Sequence, residues 1–464
     1  MSPMTKPLLA QSRVLIVGGG ISGLALGQSL FRARIPFTIF ERDQSASFRA
    51  QGYRISHNEI AQRSLKSLVG EDFYGKIRAM GTGDLNAPGL TAANAITGED
   101  LGLFGKGGGA MGSKFGQKPS SGDKAPSSGD KAPSSGDKAP SSGDKAPPVR
   151  PFQSDRTVLR GLLALDLESH ISYGKRFVDF STSEQGHTVV ARFEDGTTEE
   201  GAMIIGGDGI RSKVYSQLLR TLNQPPPNLL DLERRVIYGK TRFSPEFIAA
   251  FPDKWAKSIS FFRDTNSDTK WLFMDPVIFG NRAEDLTDGR VVTPENYLYW
   301  AFITKPEDYG LPDKELFSLT PEQTAELSLK MTETWNPNLR SLLQHQDVSE
   351  CAVLGVQAAH PDIPERKSHP TATVMGDAVH AMSPTGGAGA NTALRDAALL
   401  STLLKEAWNA DDGWKAGTIQ KVIEAYETEM LAYAREVLAG SFNTPPAKMM
   451  MGGKQPSDYK SFAA

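Results

Sequence analysis

Three glycine-bearing motifs lie far apart along the chain, and their residue types suit the binding of a ligand that contains phosphates. In chain order they are Gly18-x-Gly20-x-x-Gly23, Gly207-Asp208-Gly209-Ile210-Arg211-Ser212, and the stretch from Gly376-Asp377 to Asn391. Glycine lets backbone N–H groups approach phosphate oxygens closely, and a helix N-terminus adds the positive end of its dipole. Together the motifs predict one binding site for a long dinucleotide, assembled from distant parts of the sequence.

The first motif has the local context that a dinucleotide fingerprint requires. Residues 13–17 read as a short buried strand, residues 20–33 as a helix, and residues 36–40 as a second strand, which makes a β-α-β unit. Glu41 and Arg42 end the second strand, where an acidic residue can accept hydrogen bonds from ribose hydroxyls. The alternative is a glycine-rich turn without a ligand. This motif alone does not separate NAD from FAD.

The second and third motifs decide between those dinucleotides through a resemblance. Residues 207–212 fit the pattern GDGxxS, and residues 376–391 fit GDAxHxxxPxxGxGxN with its full spacing. On these motifs the chain resembles the class A flavoprotein monooxygenases, the para-hydroxybenzoate and salicylate hydroxylase superfamily, including its fungal secondary-metabolite members. The resemblance covers nearly the whole length apart from a repeat and the C-terminal tail, and it implies non-covalently bound FAD.

The resemblance also implies contacts for individual residues. Asp377 would bind the ribityl chain, and a helix beginning near Gly389 would direct its dipole at N1–C2=O of the flavin. Arg156, which precedes a leucine-rich helix, would contact the cofactor, and Arg54, which replaces a usual glycine, would contact it through its backbone. The predicted FAD-binding residues are Gly18, Gly20, Gly23, Glu41, Arg42, Arg54, Arg156, Asp208, Gly209, Gly376, Asp377, Pro384, Gly387, Gly389, Ala390 and Asn391.

The resemblance further implies a reaction. NAD(P)H would bind transiently, reduce the flavin and leave, and O2 would then form a flavin C4a-hydroperoxide that passes one oxygen atom to the substrate by hydroxylation or epoxidation. The protein would have to exclude water so that the peroxide survives. Arg211 and Tyr238 are the candidate catalytic residues near the flavin. The alternative is an FAD-dependent oxidoreductase or cyclase without oxygen insertion.

Composition narrows the choice of partners. A net charge of −3 over 464 residues gives no field for holding nucleic acid or an anionic membrane. No apolar run of roughly 18 residues predicts a spanning helix, and the single Cys351 offers neither a disulfide nor a metal motif. We therefore expect a cytoplasmic monomer or homodimer with no metal. Aromatic strands in the middle of the chain favour a bulky, partly apolar small-molecule substrate, with O2 as co-substrate.

The expected fold class is α/β, with a discontinuous Rossmann-like FAD-binding domain and a mixed-sheet substrate domain. The FAD-binding domain is expected in three segments, over 1–85, over 148–231, and over 357–440 with the C-terminal helices. Between them we predict a substrate-domain strand and glycine-rich loop over 86–118, a disordered repeat over 119–147 and the substrate domain over 232–356, with a loosely held tail over 441–464. The repeat is four copies of PSSGDKA, which lack the apolar side chains that folding requires.

Hydrophobic periodicity predicts further elements around the second motif. Leucines and valines at helical spacing predict a helix over 155–171, and alternating patterns predict strands over 187–193 and 198–205. Long amphipathic helices are expected over 391–407 and 420–438.

Overall fold

The computed structural model describes residues 12–46, 54–82, 91–101, 150–183, 188–411, 413–415 and 417–463, and the predicted PSSGDKA repeat lies outside them. The strands are β1 (Val14–Val17), β2 (Phe37–Phe40), β3 (Arg54–His57), β4 (Thr91–Asn94), β5 (Phe152–Asp155), β6 (Ile171–Ser172), β7 (Phe177–Thr182), β8 (Val189–Phe193), β9 (Thr198–Gly201), β10 (Met203–Gly206), β11 (Asn228–Arg242), β12 (Ser260–Arg263), β13 (Trp271–Val277), β14 (Tyr297–Thr304), β15 (Ala352–Ala359), β16 (Ala372–Val374) and β17 (Lys460–Ala463).

Helices connect and cover these strands. They are α1 (Ile21–Arg32), α2 (Glu59–Val69), α3 (Glu71–Ala79), α4 (Arg156–Ala164), α5 (Lys213–Thr221), α6 (Pro245–Ala250), α7 (Asp253–Ala256), α8 (Ala283–Leu286), α9 (Asp313–Leu316), α10 (Pro321–Met331), α11 (Pro337–Gln344), α12 (Asp377–His380), α13 (Gly389–Asp411), α14 (Thr418–Ser441) and α15 (Pro445–Met451). No helix among the described residues is long and apolar enough to cross a membrane.

A five-stranded parallel sheet in the order β16-β10-β1-β2-β6 brings the glycine motifs together. Its central strand β1 has the sequence VLIV and is buried along its whole length, as a parallel strand covered on both faces must be. The first motif follows β1, the second follows β10 and the third follows β16. Because parallel strands end at the same edge of a sheet, the three motifs meet there. This sheet confirms the α/β, Rossmann-like class that the sequence predicts.

A seven-stranded mixed sheet forms the other half of the fold, in the order β15-β11-β14-β13-β12-β4, with β17 paired to β11. Alternate residues of β14 face opposite sides. Leu298, Trp300 and Phe302 pack into a core cluster with side chains of the nearby helices. Tyr299 and Ala301, on the other face, line a large cavity. The sheet therefore has one face that serves the core and one that forms the wall of a site.

A two-stranded antiparallel pair, β3 with β5, lies between the large sheets and contributes residues to the same cavity. Arg54 is opposite Asp155 in its register. A bridge from Thr82 to both Gln153 and Phe279 continues this connection towards the mixed sheet. The remaining strands form a separate three-stranded antiparallel sheet, β7-β8-β9.

Two predicted elements differ from the observed ones. The helix expected over 155–171 is α4, which ends at Ala164, because Asp166 takes a left-handed φ of 65° and residues 171–172 join the parallel sheet as β6. The strand expected over 198–205 is two strands in different sheets, β9 and β10, with a break at Ala202. Alternating hydrophobicity cannot detect that change of partner, because both strands have the period of two.

The expectation of a loosely held tail over 441–464 is not met by the described residues. β17 pairs antiparallel with β11, from Asn228 opposite Ala463 to Asp231 opposite Lys460. Phe442, Met450, Met451 and Tyr459 are buried in a cluster against the mixed sheet. Burial of these large apolar side chains holds the segment against the sheet.

Candidate functional site

A cavity of about 1490 Å³ opens between the parallel sheet and the mixed sheet. Its walls combine all three glycine motifs with β3, β5, the start of α4 and one face of the mixed sheet. Pockets for one small molecule are usually about 300–1,000 Å³. This cavity therefore has room for a dinucleotide headgroup and a second molecule beside it.

The three glycines of the first motif have different environments. Gly18 has a φ of 113°, and a Cβ built on it would lie 2.3 Å from the carbonyl oxygen of Gly207. A Cβ on Gly23 would lie 2.1 Å from the carbonyl oxygen of Gly18. By contrast, a Cβ on Gly20 would meet no atom within 4 Å, and this residue lines the cavity. Two glycines thus allow close packing, and Gly20 leaves space for a ligand.

Glu41 holds the turn that contains these glycines. Its carboxylate is buried and accepts hydrogen bonds from the backbone N–H of Gly19, at 2.8 Å, and of Asp43, at 3.0 Å. Arg160 donates from Nη2 to the Gly19 carbonyl at 3.1 Å. Arg42, also predicted to bind the cofactor, is exposed. Arg160 was not predicted from the sequence, although it lies one helical turn after Arg156 on the same face of α4.

Arg156 reaches the cavity from the first residue of α4. The side chain of Asp155 caps this helix by accepting from the N–H of Val158 at 2.8 Å, and it also accepts from the hydroxyl of Tyr297 at 2.5 Å. The Nε of Arg156 is buried and has no hydrogen-bond partner among the described residues. A buried donor without a partner is costly. A ligand oxygen at this wall of the cavity would supply a partner for the guanidinium of Arg156.

In the second motif, Gly209 lines the cavity, and Asp208 caps the start of the following helix, α5. Gly209 has a φ of 86° and lines the cavity. A Cβ built on it would meet no atom within 4 Å. The carboxylate of Asp208 accepts from the hydroxyl of Ser212 and from the N–H of Lys213 at the start of α5. Burial raises the pKa of Asp208, and these hydrogen bonds oppose the rise. Arg211 is exposed and is not among the cavity-lining residues.

The third motif forms the floor of the cavity. Asp377 lies deep in the protein, yet its side chain is accessible from the cavity. This depth raises the pKa of Asp377, and the nearby His380 and Arg156 act against the rise. Residues 384–391 line the cavity, and α13 begins at Gly389 within that stretch. The first N–H groups and the positive dipole end of a 23-residue helix are therefore placed at the cavity.

A buried hydrogen-bond network fixes the turn before Asp377. Gly376 has a φ of 63°, and its N–H donates to Oδ2 of Asp396 at 2.7 Å. The same oxygen is 2.6 Å from Nε2 of His380, and the hydroxyl of Tyr433 donates to the other carboxylate oxygen. Burial acts to lower the pKa of His380, but the charge and hydrogen bond of Asp396 raise it above its usual value. His380 is thus a supporting residue behind the floor.

Asn391 joins that floor to the β3–β5 pair. Its Oδ1 accepts from the N–H of Asn58 at 3.1 Å, and its Nδ2 donates to the carbonyls of Ser56 at 2.9 Å and Gly387 at 2.7 Å. Its side chain therefore positions the loop through backbone groups. Ala390, the preceding residue, lines the cavity directly.

Arg54 forms a buried ion pair across the cavity wall, and its predicted backbone contact with the cofactor stays a prediction. Its guanidinium contacts the carboxylate of Asp275 on β13, and both side chains are less than 10% exposed, at 7% and 6%. Oδ1 of Asp275 is buried without a hydrogen-bond partner among the described residues. Burial raises the pKa of Asp275 to about 6, although Arg54 opposes the rise. Asp275 was not predicted from the sequence, in which its one signal is a carboxylate within an apolar strand.

The face of the mixed sheet that surrounds Asp275 is apolar and aromatic. Phe261, Phe273 and Tyr299 line the cavity there, and their rings contact one another in series, with centroids 5.2 Å and 6.2 Å apart. Tyr238 lies opposite Ala301 in the register and two residues from Val236, so it is on this face, although it is not among the cavity-lining residues. Its predicted catalytic role stays a prediction.

These residues fit a flavin dinucleotide. Open glycines at positions 20 and 209, the buried donor of Arg156, the accessible carboxylate of Asp377 and the start of α13 all line one cavity. Together they offer backbone and cationic groups for a pyrophosphate, an acceptor for hydroxyls and a dipole for a ring carbonyl. Among the described residues, no group of His, Cys, Asp or Glu side chains is placed to hold a metal ion.

Comparison with protein families agrees with this arrangement. Residues 16–80 match the model of an NAD(P)-binding Rossmann-like domain, and residues 366–441 match the model of an FAD binding domain. These two stretches contain the first and third glycine motifs.

Curated relatives are fungal. The chain is 33% identical over 413 residues to the dual O-methyltransferase/FAD-dependent monooxygenase CTB3 of Cercospora beticola. The aligned region covers 86% of this chain but 42% of that relative. It is 25% identical over 421 residues to the FAD-dependent monooxygenase thnD of Trichoderma harzianum, covering 90% of this chain and 89% of the relative. The chain therefore spans less than half the length of the dual relatives.

Solved structures share the fold. 2,6-Dihydroxypyridine-3-hydroxylase of Arthrobacter nicotinovorans superposes with a TM-score of 0.64 at 18% identity, covering 96% of this chain and 94% of that one. HpxO of Klebsiella pneumoniae, solved with FAD and uric acid, gives a TM-score of 0.63 at 16% identity, covering 95% and 89%. The motifs, the fold and the matches agree: the chain is similar to FAD-dependent monooxygenases, it contains an FAD binding domain, and its cofactor is FAD.

Proposed function

We propose that this chain consumes NAD(P)H and inserts one oxygen atom of O2 into a bulky, partly apolar small molecule, by hydroxylation or epoxidation. The observation that carries the proposal is the composition of one continuous cavity. One end is lined by the dinucleotide motifs, and the other by an aromatic sheet face. A flavin held at the first end would lie beside an apolar substrate held at the second, and such fixed proximity is a large component of catalysis.

Bound FAD would supply the two-electron reduction and the activation of O2. The residues of the chain have the other tasks. Gly20 and Gly209 leave space for the pyrophosphate, and the guanidinium of Arg156 can donate to it. The N-terminus of α13, at Gly389, would stabilise negative charge on a flavin ring bound beside it. The aromatic wall excludes water, which protects reactive species and strengthens electrostatic interactions.

We infer that the nicotinamide binds transiently rather than in a domain of its own. Among the described residues, one strand–GxGxxG–helix fingerprint is present, in the turn after β1. Its Gly20 lines the cavity that the other FAD motifs also line. A second dinucleotide would therefore have to reach the flavin through the open side of the same cavity.

The proposal is tested with purified protein. It should be yellow, acid precipitation should release all of the flavin into the supernatant, and NADPH or NADH should bleach the colour under anaerobic conditions. With isotopically labelled O2 and a panel of polyketides, alkaloids and terpenoids, one labelled oxygen atom should appear in a product. Flavin that stays with the pellet would contradict non-covalent binding. Reduction and reoxidation without label in any product would instead favour an FAD-dependent oxidoreductase or cyclase.

A further inference from the structure

Asp275 is the one charged side chain among the described residues of the seven-stranded sheet that line the cavity. The residues that surround it on that face are apolar or aromatic, including Phe273 two positions before it and Tyr299 opposite it on β14. A buried carboxylate costs free energy unless its oxygens have partners. One of its oxygens is paired with Arg54, and the other has no partner among the described residues.

This carboxylate lies close to the end of the cavity assigned to the flavin. Its partner Arg54 is two residues from Ser56 on β3, so the two residues lie about 7 Å apart along one strand. The carbonyl of Ser56 accepts a hydrogen bond from Asn391, in the loop that begins α13. A molecule that contacts the free oxygen of Asp275 would therefore lie beside the flavin loop.

The other titratable groups nearby are already occupied or neutral. Tyr297 of β14 lies near Arg54 of β3, and its hydroxyl donates a hydrogen bond to Asp155 of β5. Burial, together with the charge of Asp155, raises the pKa of Tyr297. Tyr299, the register partner of Asp275, is half-buried. Arg54 is thus the cation that acts on Asp275, and it pairs with Oδ2 and leaves Oδ1 without a partner among the described residues.

We propose that Asp275, held in place by Arg54, is a catalytic residue that accepts the proton of an aromatic hydroxyl group on the substrate. The proposal rests on the proposed function, which supplies the electrophilic oxygen atom from O2. As the ring carbon ortho or para to the hydroxyl bonds to that oxygen, the O–O bond that held it breaks, and its electron pair leaves with the second oxygen atom, which is released as water. At the same time the O–H bond of the substrate breaks, its electron pair forms the C=O bond of a dienone, and the proton goes to Oδ1 of Asp275. Loss of the proton on the newly oxygenated carbon, with return of the proton from Asp275 to the carbonyl oxygen, then restores the aromatic ring and the carboxylate.

The first test needs no turnover. Oxidised holoenzyme is titrated with 4-methylphenol and with 4-methylanisole, which has a methyl group in place of the acidic proton, and binding is followed by the flavin spectrum. Above the pKa of Asp275, the wild type should bind the phenol roughly ten- to a hundredfold more tightly, the worth of a hydrogen bond to a charged group. Asp275→Leu combined with Arg54→Met should bind both probes alike. An undiminished preference in that double variant would overturn the proposal.

The second test is the pH profile of turnover. In the wild type, kcat/KM for a hydroxylated substrate should fall on the acid side of about pH 6, because the protonated carboxyl group cannot accept the proton. The Asp275→Asn variant should have a lower kcat/KM, and its kcat/KM should no longer fall on the acid side. The matched control is Asp268→Asn, which removes a carboxylate that is 97% exposed and outside the cavity-lining set and should keep the wild-type profile. An acid limb that persists in Asp275→Asn would overturn the assignment.

The two tests separate this proposal from the proposed function. If the holoenzyme neither consumes O2 nor labels any product, the proposed function fails, while the binding comparison still tests Asp275. Flavin content and circular dichroism are recorded for each variant. The double variant, in which apolar residues replace both members of a buried pair, guards against misfolding from an unpaired charge.

Discussion

The two ends of the cavity use different parts of the chain, the backbone at one end and side chains at the other. At the cofactor end, the contacts come largely from the backbone, through open glycines such as Gly20 and Gly209 and through the start of α13. At the substrate wall, they come from side chains on alternate positions of strands, such as Phe273 and Asp275. Backbone geometry requires particular residues at particular spacings and so leaves a motif. A wall of side chains can be made from many residues and leaves none.

The largest expected effect is at Gly20. A Cβ there would meet no protein atom within 4 Å, but it would enter the space that we assign to the cofactor's phosphates. Gly20→Val should therefore fold normally and purify without flavin, since its φ of −74° is accessible to valine. The ratio of flavin to protein absorbance and the circular dichroism spectrum together measure this outcome.

Two other glycines sharpen that result. Gly23→Val should fail to fold, because its Cβ would lie 2.1 Å from the carbonyl oxygen of Gly18. Gly280→Val, at an open position outside the cavity-lining set, should keep both fold and flavin. A yellow Gly20→Val protein would show that the cofactor end of the cavity has been misplaced.

The next largest effect is expected at the network behind the cofactor end. Asp396→Asn removes the charge that pairs with His380 and receives the N–H of Gly376. Breaking a buried pair in this way costs about 3–5 kcal/mol, so the free energy of unfolding should fall by that amount. Asp268→Asn, at a carboxylate that is 97% exposed, is the matched control and should change little. Chemical denaturation of the two variants measures the difference.

The same network gives the wild type a pH dependence. The folded pKa of His380 is raised above its usual 6.5, so its contribution to stability is complete below about pH 6.5 and is lost as the pH rises through the raised value. Thermal stability should therefore decline on the alkaline side of that value, and His380→Gln should reduce the decline. A wild-type protein that gains stability over this range would contradict the charged pair.

Particular residues show how far the sequence could be read. The β-α-β unit and the parallel sheet followed from local patterns, since glycines and apolar periods report the backbone directly. The start of α13 near Gly389 followed from the resemblance, and the local pattern placed that helix over 391–407. Asp275 and Arg160 were missed because their roles depend on partners from other elements, Arg54 on β3 and the Gly19 carbonyl. The division of 198–205 into two strands was missed for the same reason, because a strand does not specify its neighbour.

A smaller effect is expected at two arginines that the sequence assigned to the cofactor alike. Arg156 lines the cavity with a buried Nε that has no partner among the described residues, whereas Arg42 is exposed. Arg156→Met should weaken FAD binding by about 1–3 kcal/mol, the cost of a lost charged hydrogen bond, and Arg42→Met should change it by much less. Fluorescence titration of the apoprotein with FAD measures both. Equal losses in the two variants would contradict the difference in their environments.

The smallest effect is expected from deletion of the PSSGDKA repeat, which contains none of the predicted cofactor-binding residues. Because the entropy of loop closure grows only logarithmically with length, severalfold shortening of a connection changes stability by about 1 kcal/mol. Deleting residues 119–146 should therefore leave FAD content and NADPH-dependent turnover nearly unchanged. Since Arg150, just beyond the repeat, lines the cavity, a second variant should replace the repeat with a glycine–serine segment of equal length. If turnover falls in both variants while FAD content holds, the repeat itself contributes to the substrate end, and the division of the cavity into two ends must include it.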